Sequence, residues 1–293
     1  MLVSNIPALI CIFAMVSCCE GSLVTLVQNT RSVEVCCREE NLMSCVDVVV
    51  DPRLLAEPQI DILGRLLTFS NKAGLHGSVF KTETGDEAVI TYNPQTDSLF
   101  GSLKTSLGES YAIEKCHGGH VWKQYDVDSF GEHESEEDNE DLKVSKERKE
   151  KSESMTGDRE DIVTYSVMIY FTPAFAAITA DIPNFVDQVI TETNQGYINS
   201  QMPVRISLHC IEAATISEVQ DGSSFLSNFK SMKGSLAKLR NSADCAVLLT
   251  DIYDSSKCGI GYLNSLYTGN TVSIARKSCA LGYYTFGHEI GRF

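Results

Sequence analysis

Cys279-Ala-Leu-Gly-Tyr-Tyr-Thr-Phe-Gly-His288-Glu289-Ile-Gly-Arg292-Phe293 is the stretch on which the reading of this chain turns. An imidazole beside a carboxylate, after an aromatic-rich lead-in, predicts the opening of a helix. In the H-E-x-x-H pattern two imidazoles four residues apart lie on one helical face and grip a metal ion. The carboxylate between them polarises the metal-bound water and shuttles its proton. Here Arg292 stands where the second imidazole would be, so the pattern is begun and not completed. Taken alone, a His-Glu pair is as readily the solvated start of an ordinary helix.

The surroundings add to this. Gly287-His288-Glu289-Ile290-Gly291, led in by Tyr283-Tyr284-Thr285-Phe286 and preceded by Cys258-Gly-Ile-Gly-Tyr-Leu263, closely resembles the zinc-helix region of reprolysin-like metzincins. Within them it is most similar to the peptidyl-Asp metalloendopeptidase branch. The resemblance implies a secreted zinc metalloendopeptidase precursor with a Zn2+ cofactor, His288 as a metal ligand and Glu289 as the catalytic general base. It also implies that Gly259, Ile260, Gly261, Tyr262 and Leu263 form the edge strand along which a peptide or protein substrate lies antiparallel. The plainer reading of that segment is an ordinary short edge strand. Catalytic zinc takes three protein ligands and a water, and metzincins reach the third through H-E-x-x-H-x-x-G-x-x-H. One imidazole leaves two positions empty and a guanidinium at position 292 would repel the ion. The chain is therefore expected to be cut off inside its zinc motif and proteolytically inert.

Working back from this stretch, Ile162 to Phe171 is a strongly apolar strand. Ala180 to Asn199 carries Ile182, Phe185, Val186, Val189, Ile190 and Ile198 at helical spacing, with Asp181 or Thr179 as N-cap and Pro183 in the first turn. Val204 to Ile211 predicts a strand, Ser223 to Arg240 a helix, and Cys245 to Leu249, Gly259 to Leu263 and Thr271 to Ala275 three further strands. This order predicts an α/β (α+β) unit, a mixed twisted sheet with helices packed on it. It is similar to the upper subdomain of a metzincin catalytic domain over residues 162–293.

Residues 22–126 read differently. Ser22 to Gln28, Cys45 to Val50, Gly77 to Phe80, Ala88 to Tyr92, Ser98 to Leu103 and Ser110 to Glu114 suit short strands, separated by turn signals at Thr84-Gly-Asp86, Asn93-Pro94 and Leu107-Gly108. A small β-rich module is expected, and the order of these segments is similar to that of a reprolysin propeptide. Between the two halves, residues 127–161 hold 14 acidic and 6 basic residues, a net of −8 out of −15 for the whole chain. So charged a stretch cannot bury enough surface to offset its ordering entropy, and an acidic disordered linker is expected. Its cluster Lys146-Glu-Arg-Lys-Glu-Lys151 reads either as solvated mixed charge or as a processing site.

At the N-terminus, Ile6 to Val16 is an apolar run too short to span a bilayer comfortably, followed by small residues at Ser17 and Gly21. It predicts a signal peptide over residues 1–21, although no Lys or Arg precedes the run, and hence an extracellular protein. No later segment is long and apolar enough to cross a membrane. The net charge of −15 argues against nucleic acid as a partner.

Eleven cysteines agree with an oxidising compartment. Four of them (Cys210, Cys245, Cys258, Cys279) fall in the C-terminal half, enough for two bridges. Cys258–Cys279 is the pairing expected first, though spacing alone leaves connectivity open. Reprolysin propeptides often keep latency through a cysteine thiolate on the zinc, and Cys116 in Lys115-Cys-His-Gly-Gly119 stands in the corresponding region. A structural disulfide is the competing reading of Cys116. A second function class stays open beside the enzyme: a non-catalytic pseudoprotease, or a propeptide-like inhibitor that binds a full-length protease through residues 23–126.

Overall fold

The computed structural model describes residues 22–26, 37, 42–74, 76–116, 119–126, 162–219, 221–232, 243–251, 258–262, 271–282 and 285–291. The expected signal (1–21), the acidic linker (127–161), residues 233–240 of the expected second helix, Leu263 and Arg292 lie outside the described residues.

Nine strands build the N-terminal half: β1 (Ser22–Leu26), β2 (Leu42–Val50), β3 (Gln59–Ile62), β4 (Arg65–Ala73), β5 (Gly77–Lys81), β6 (Glu87–Asn93), β7 (Ser98–Lys104), β8 (Ser110–Cys116) and β9 (Gly119–Tyr125). They close into a barrel in the order β1-β2-β9-β8-β7-β6-β5-β4-β3. Every pair is antiparallel except the closing one, where β1 runs parallel to β3 with Val24 opposite Ile62. Alternation along the strands sends Leu23, Val48, Ile60, Leu67, Phe80, Ile90 and Leu103 to the interior, where they form one apolar cluster with Trp122. The β3–β4 hairpin and β9 are additions to the sequence reading. In the hairpin Ile62 pairs Arg65, and both loop residues, Leu63 and Gly64, have positive φ. That is the geometry of a tight primed turn, which a leucine does not announce. Most of β4 is exposed and lacks the apolar alternation that marks a strand.

The C-terminal half is a mixed α/β unit. Its strands are β10 (Val163–Phe171), β11 (Val204–Ala213), β12 (Cys245–Thr250), β13 (Gly259–Gly261) and β14 (Val272–Arg276), in the order β11-β10-β12-β14-β13. The first four are parallel and β13 joins antiparallel at the edge. Two short helices escaped the sequence reading, α1 (Pro173–Ile178) and α4 (Lys277–Ala280). The others are α2 (Ile182–Asn199), α3 (Gly222–Lys230) and α5 (Thr285–Gly291). The sheet is covered on both faces. Val167, Ile169, Val247, Leu249 and Ala275 face the layer of α2, α4 and α5, while Met168, Tyr170, Ala246, Leu248 and Ile274 face Phe225, Leu226 and Phe229 of α3. No helix among the described residues is long and apolar enough to cross a membrane.

The barrel packs against α2. Phe100 of β7 meets Phe185 edge-on, with ring centroids 5.6 Å apart. Around this contact the interface is polar and buried. Asn184 donates to the Ser98 carbonyl at 2.8 Å, Gln188 to the Val89 carbonyl at 2.8 Å, and Ser110 to the Gly282 carbonyl at 2.7 Å. Asp181 caps α2 by accepting from the Asn184 N–H and also accepts from Asn93, Thr96 and Ser98 of the barrel.

Candidate functional site

The helix α5 is seven residues long, too short to hold itself in water. Four supports hold it. The Cys258–Cys279 disulfide, with Cα atoms 5.4 Å apart, ties the start of β13 to α4 just upstream of α5. The Tyr197 hydroxyl of α2 donates to the Gly287 carbonyl at 2.8 Å. Gly287 itself lies so close to α2 that a Cβ there would stand 2.8 Å from Thr193 Cγ2. Ile290 completes the attachment by inserting into the core between α2 and the sheet.

The adjacent His288 and Glu289 then point apart, as their 100° helical offset requires. His288 is exposed and lines a cavity of about 470 Å³ together with Thr193, Gly196, Tyr197, Asn199, Ser200, Met202, Gly287 and Gly291. Glu289 is fully buried and lies against β13, beneath Gly259 and Gly261. Thus Cys258, Gly259, Ile260, Gly261, Cys279, His288 and Glu289, singled out on separate stretches of sequence, meet at one place. Tyr262 follows β13, with its ring 4.8 Å below the Lys230 ammonium.

Cys116 is not brought to this place. It ends β8 in the barrel and is disulfide-bonded, so it offers no thiolate to a metal; of the two sequence readings, the structural bridge is the one found. A further correction concerns Cys210 and Cys245, which do not join each other. Their strands flank β10 on opposite sides, with Cys210 opposite Met168 and Cys245 opposite Val167. Two strand spacings put them roughly 9–10 Å apart, beyond the reach of a disulfide. Burial and the Asp244 charge push the Cys245 thiol well above its usual range.

A zinc centre of the catalytic type requires three protein ligands. Among the described residues no group of three His, Cys, Asp or Glu side chains is placed to hold a metal ion. His288 is the imidazole that α5 supplies. The described residues therefore do not make a complete zinc site.

A charged layer between the barrel and the segment leading to α5 was not visible in the sequence. Glu114 of β8 is 2% exposed and receives Lys277 of α4 at 2.7 Å and Lys123 of β9 at 3.1 Å on the same oxygen. Burial raises this carboxyl, but the two ammonium charges overcome burial and hold it at about 2. Glu192 of α2 accepts from the Gly282 N–H on both oxygens, at 2.9 and 3.1 Å. Burial dominates there, pushing Glu192 up to about 7 against the opposing effects of Lys104 and the Gly282 N–H. The one available signal was the composition of the polar stripe on α2. Asn184, Gln188, Thr191, Thr193 and Gln195 are amides and hydroxyls, not the lysines and glutamates of a solvated face.

Residues 184–292 match the reprolysin-like metallopeptidase family M12B. This part of the chain is reprolysin-like. The reprolysin-like segment includes α2, the sheet from β11 onward and α5, and so contains the whole neighbourhood of His288 and Glu289. The chain is similar to a peptidyl-Asp metalloendopeptidase of Stenotrophomonas maltophilia strain R551-3, with 32% identity over 139 residues, 44% of this chain and 32% of that protein. It is 35% identical over 129 residues to the protein of the same name from strain K279a, covering 40% of this chain and 30% of the other. The chain thus spans about a third of the length of these curated relatives. Among solved structures, metalloproteinase-II from Bacteroides fragilis superposes with a TM-score of 0.48 and 11% identity, over 80% of this chain and 78% of that one.

Proposed function

We propose that this chain is a secreted precursor of the zinc-dependent endopeptidase class, built as signal, barrel propeptide, acidic linker and a reprolysin-like catalytic segment. In this reading His288 is a metal ligand, Glu289 the general base, and β13 with Tyr262 and Leu263 the strand against which a peptide substrate pairs. The observation that carries it is the placement of the Glu289 carboxylate against the edge strand, with His288 beside it on the same short helix. A bound zinc would supply Lewis-acid activation of water. The residues described here do not complete its coordination, so no catalytic step is derived through it. With Arg292 four residues after His288, we read the chain as inert toward peptide bonds by itself.

The test is metal stoichiometry and peptide cleavage on the purified chain. The expected result is no tightly bound zinc and no cleavage, with zinc affinity rising in Arg292→His. One zinc held tightly, with cleavage abolished by Glu289→Ala, would overturn the inert reading and leave the enzyme class standing.

A second reading is favoured by the barrel interface. The barrel engages α2 and the 277–282 segment through buried hydrogen bonds, and a related full-length protease would offer the same kind of surface in trans. The non-catalytic alternative is then an inhibitor acting through residues 23–126. Adding the purified chain to an active full-length relative separates the two. Dose-dependent inhibition supports the second reading, and unchanged turnover removes it.

A further inference from the structure

The strand β13 carries an apolar side chain on one face and nothing on the other. Ile260 points into the cluster with Phe225 and Ile274 on the α3 side. Period-two alternation therefore turns Gly259 and Gly261 toward α5. A Cβ at Gly259 would stand 2.8 Å from Glu289 Cγ and 2.9 Å from its Oε1, and one at Gly261 would stand 3.1 Å from Oε2. The two carboxylate oxygens thus lie against two successive positions of one strand face. A third wall comes from β14, where Ser273 pairs across from Gly261. Its Cβ lies 3.0 Å from the same point. Ser273 is fully buried, and among the described residues its hydroxyl has no hydrogen-bond partner, which costs stability.

We propose that Gly259, Gly261 and Ser273 form a seat that positions the Glu289 carboxylate, the two missing Cβ atoms making the space and the serine lining it. These are positioning residues, and their role for the chemistry rests on the reading of Glu289 as the proton-shuttling group. A competing cause for the glycines is close approach of backbone. It applies to Gly259, where the Ile274 carbonyl would also be only 2.9 Å from a Cβ. At Gly261 the two nearest atoms belong to the side chains of Ser273 and Glu289, and the nearest backbone atom, the Glu289 carbonyl oxygen, is at the ordinary contact distance of 3.4 Å, so position 261 is where the side-chain cause is tested.

The experiment is a set of double-mutant cycles on the thermal unfolding of the full chain, without metal or substrate. Gly261→Ala is expected to lower the unfolding midpoint by about 5 °C, the ordinary effect of overfilling a packed site. In the Glu289→Ala and Glu289→Asp backgrounds, where the carboxylate is removed or drawn back by one methylene, the same substitution is expected to cost measurably less, while the Ser273 Cβ contact at 3.0 Å persists. An equal loss in all three backgrounds overturns the seat, because it would mean that alanine is excluded for reasons unrelated to Glu289. If Gly261→Ala alone does not fold, recovery of a folded protein in Gly261→Ala/Glu289→Ala supports the proposal, and failure of that double variant overturns it. Since the readout needs no turnover, a chain that neither binds zinc nor cleaves peptide leaves this result untouched. Additive cycles, conversely, leave the peptidase reading untouched.

Discussion

Glu192 gives the molecule a pH dependence that can be worked out at a single residue. Its folded-state carboxyl titrates near 7 because burial opposes the charge, while an unfolded glutamate titrates near the ordinary ~4.3. A raised folded value means that the stabilising contribution is complete below the unfolded value and is lost as pH rises toward 7. His120 works in the opposite sense over an overlapping range, since burial lowers it to about 4. The clean measurement is therefore a difference. Urea unfolding of Glu192→Gln against the parent should show little gain at pH 4.5 and a gain growing to roughly 1–3 kcal/mol by pH 7.5; a flat difference across that range would refute the assignment. The sequence made His288 and Glu289 legible because a motif binds them to fixed neighbours. Glu192 and the Glu114–Lys277 pair were not legible, because the partners stand 90 and 163 residues apart in the chain.

The elements of the C-terminal half were largely readable, since α2, β10, β11, β12 and β14 each carry a strong apolar period. The Asp181 cap and Pro183 fixed where α2 begins, one of two starts the sequence allowed. What the period could not supply was the partner of each face. The amide and hydroxyl stripe of α2 reads as a solvent face by hydropathy and is in fact covered by β6 and β7 through Gln188 and Asn184. The packing of α5 on α2 depends on one missing methyl. Gly287→Ala would press a Cβ to 2.8 Å from Thr193 Cγ2, and the expected cost is ~1–3 kcal/mol of stability. Thr193→Ala should recover most of that loss by removing the opposing methyl. Circular dichroism melts of the three variants check it, and additive losses would show that α5 does not rest on Thr193.

The whole molecule is held together across its two halves by a buried ion triad as well as by apolar packing. Lys277→Met would remove one of the two cations from the fully buried Glu114; with Lys123 still paired, the cost should stay below the about 3–5 kcal/mol of leaving a buried charge uncompensated. Because Lys277 belongs to the C-terminal half and Glu114 to the barrel, the loss should appear as a split transition in urea, with the α/β unit unfolding before the barrel. A single transition with an unchanged midpoint would show that the triad does not couple the halves. The barrel's closure was invisible in the sequence for the same reason as the triad. The pairing that seals it joins β1, which reads as a strand, to the unrecognised β3 well downstream, Ser22 opposite Asp61 and Val24 opposite Ile62. Topology also fixes an order of events. All nine barrel strands precede residue 126, while the contacts they make with α2 and Gly282 span 83 to 172 residues of chain. Growing chains emerge from the ribosome N-terminal end first, and domains fold as units as they appear. All nine barrel strands are thus synthesised before α2, so the surface that the polar stripe of that helix meets is encoded wholly upstream of it.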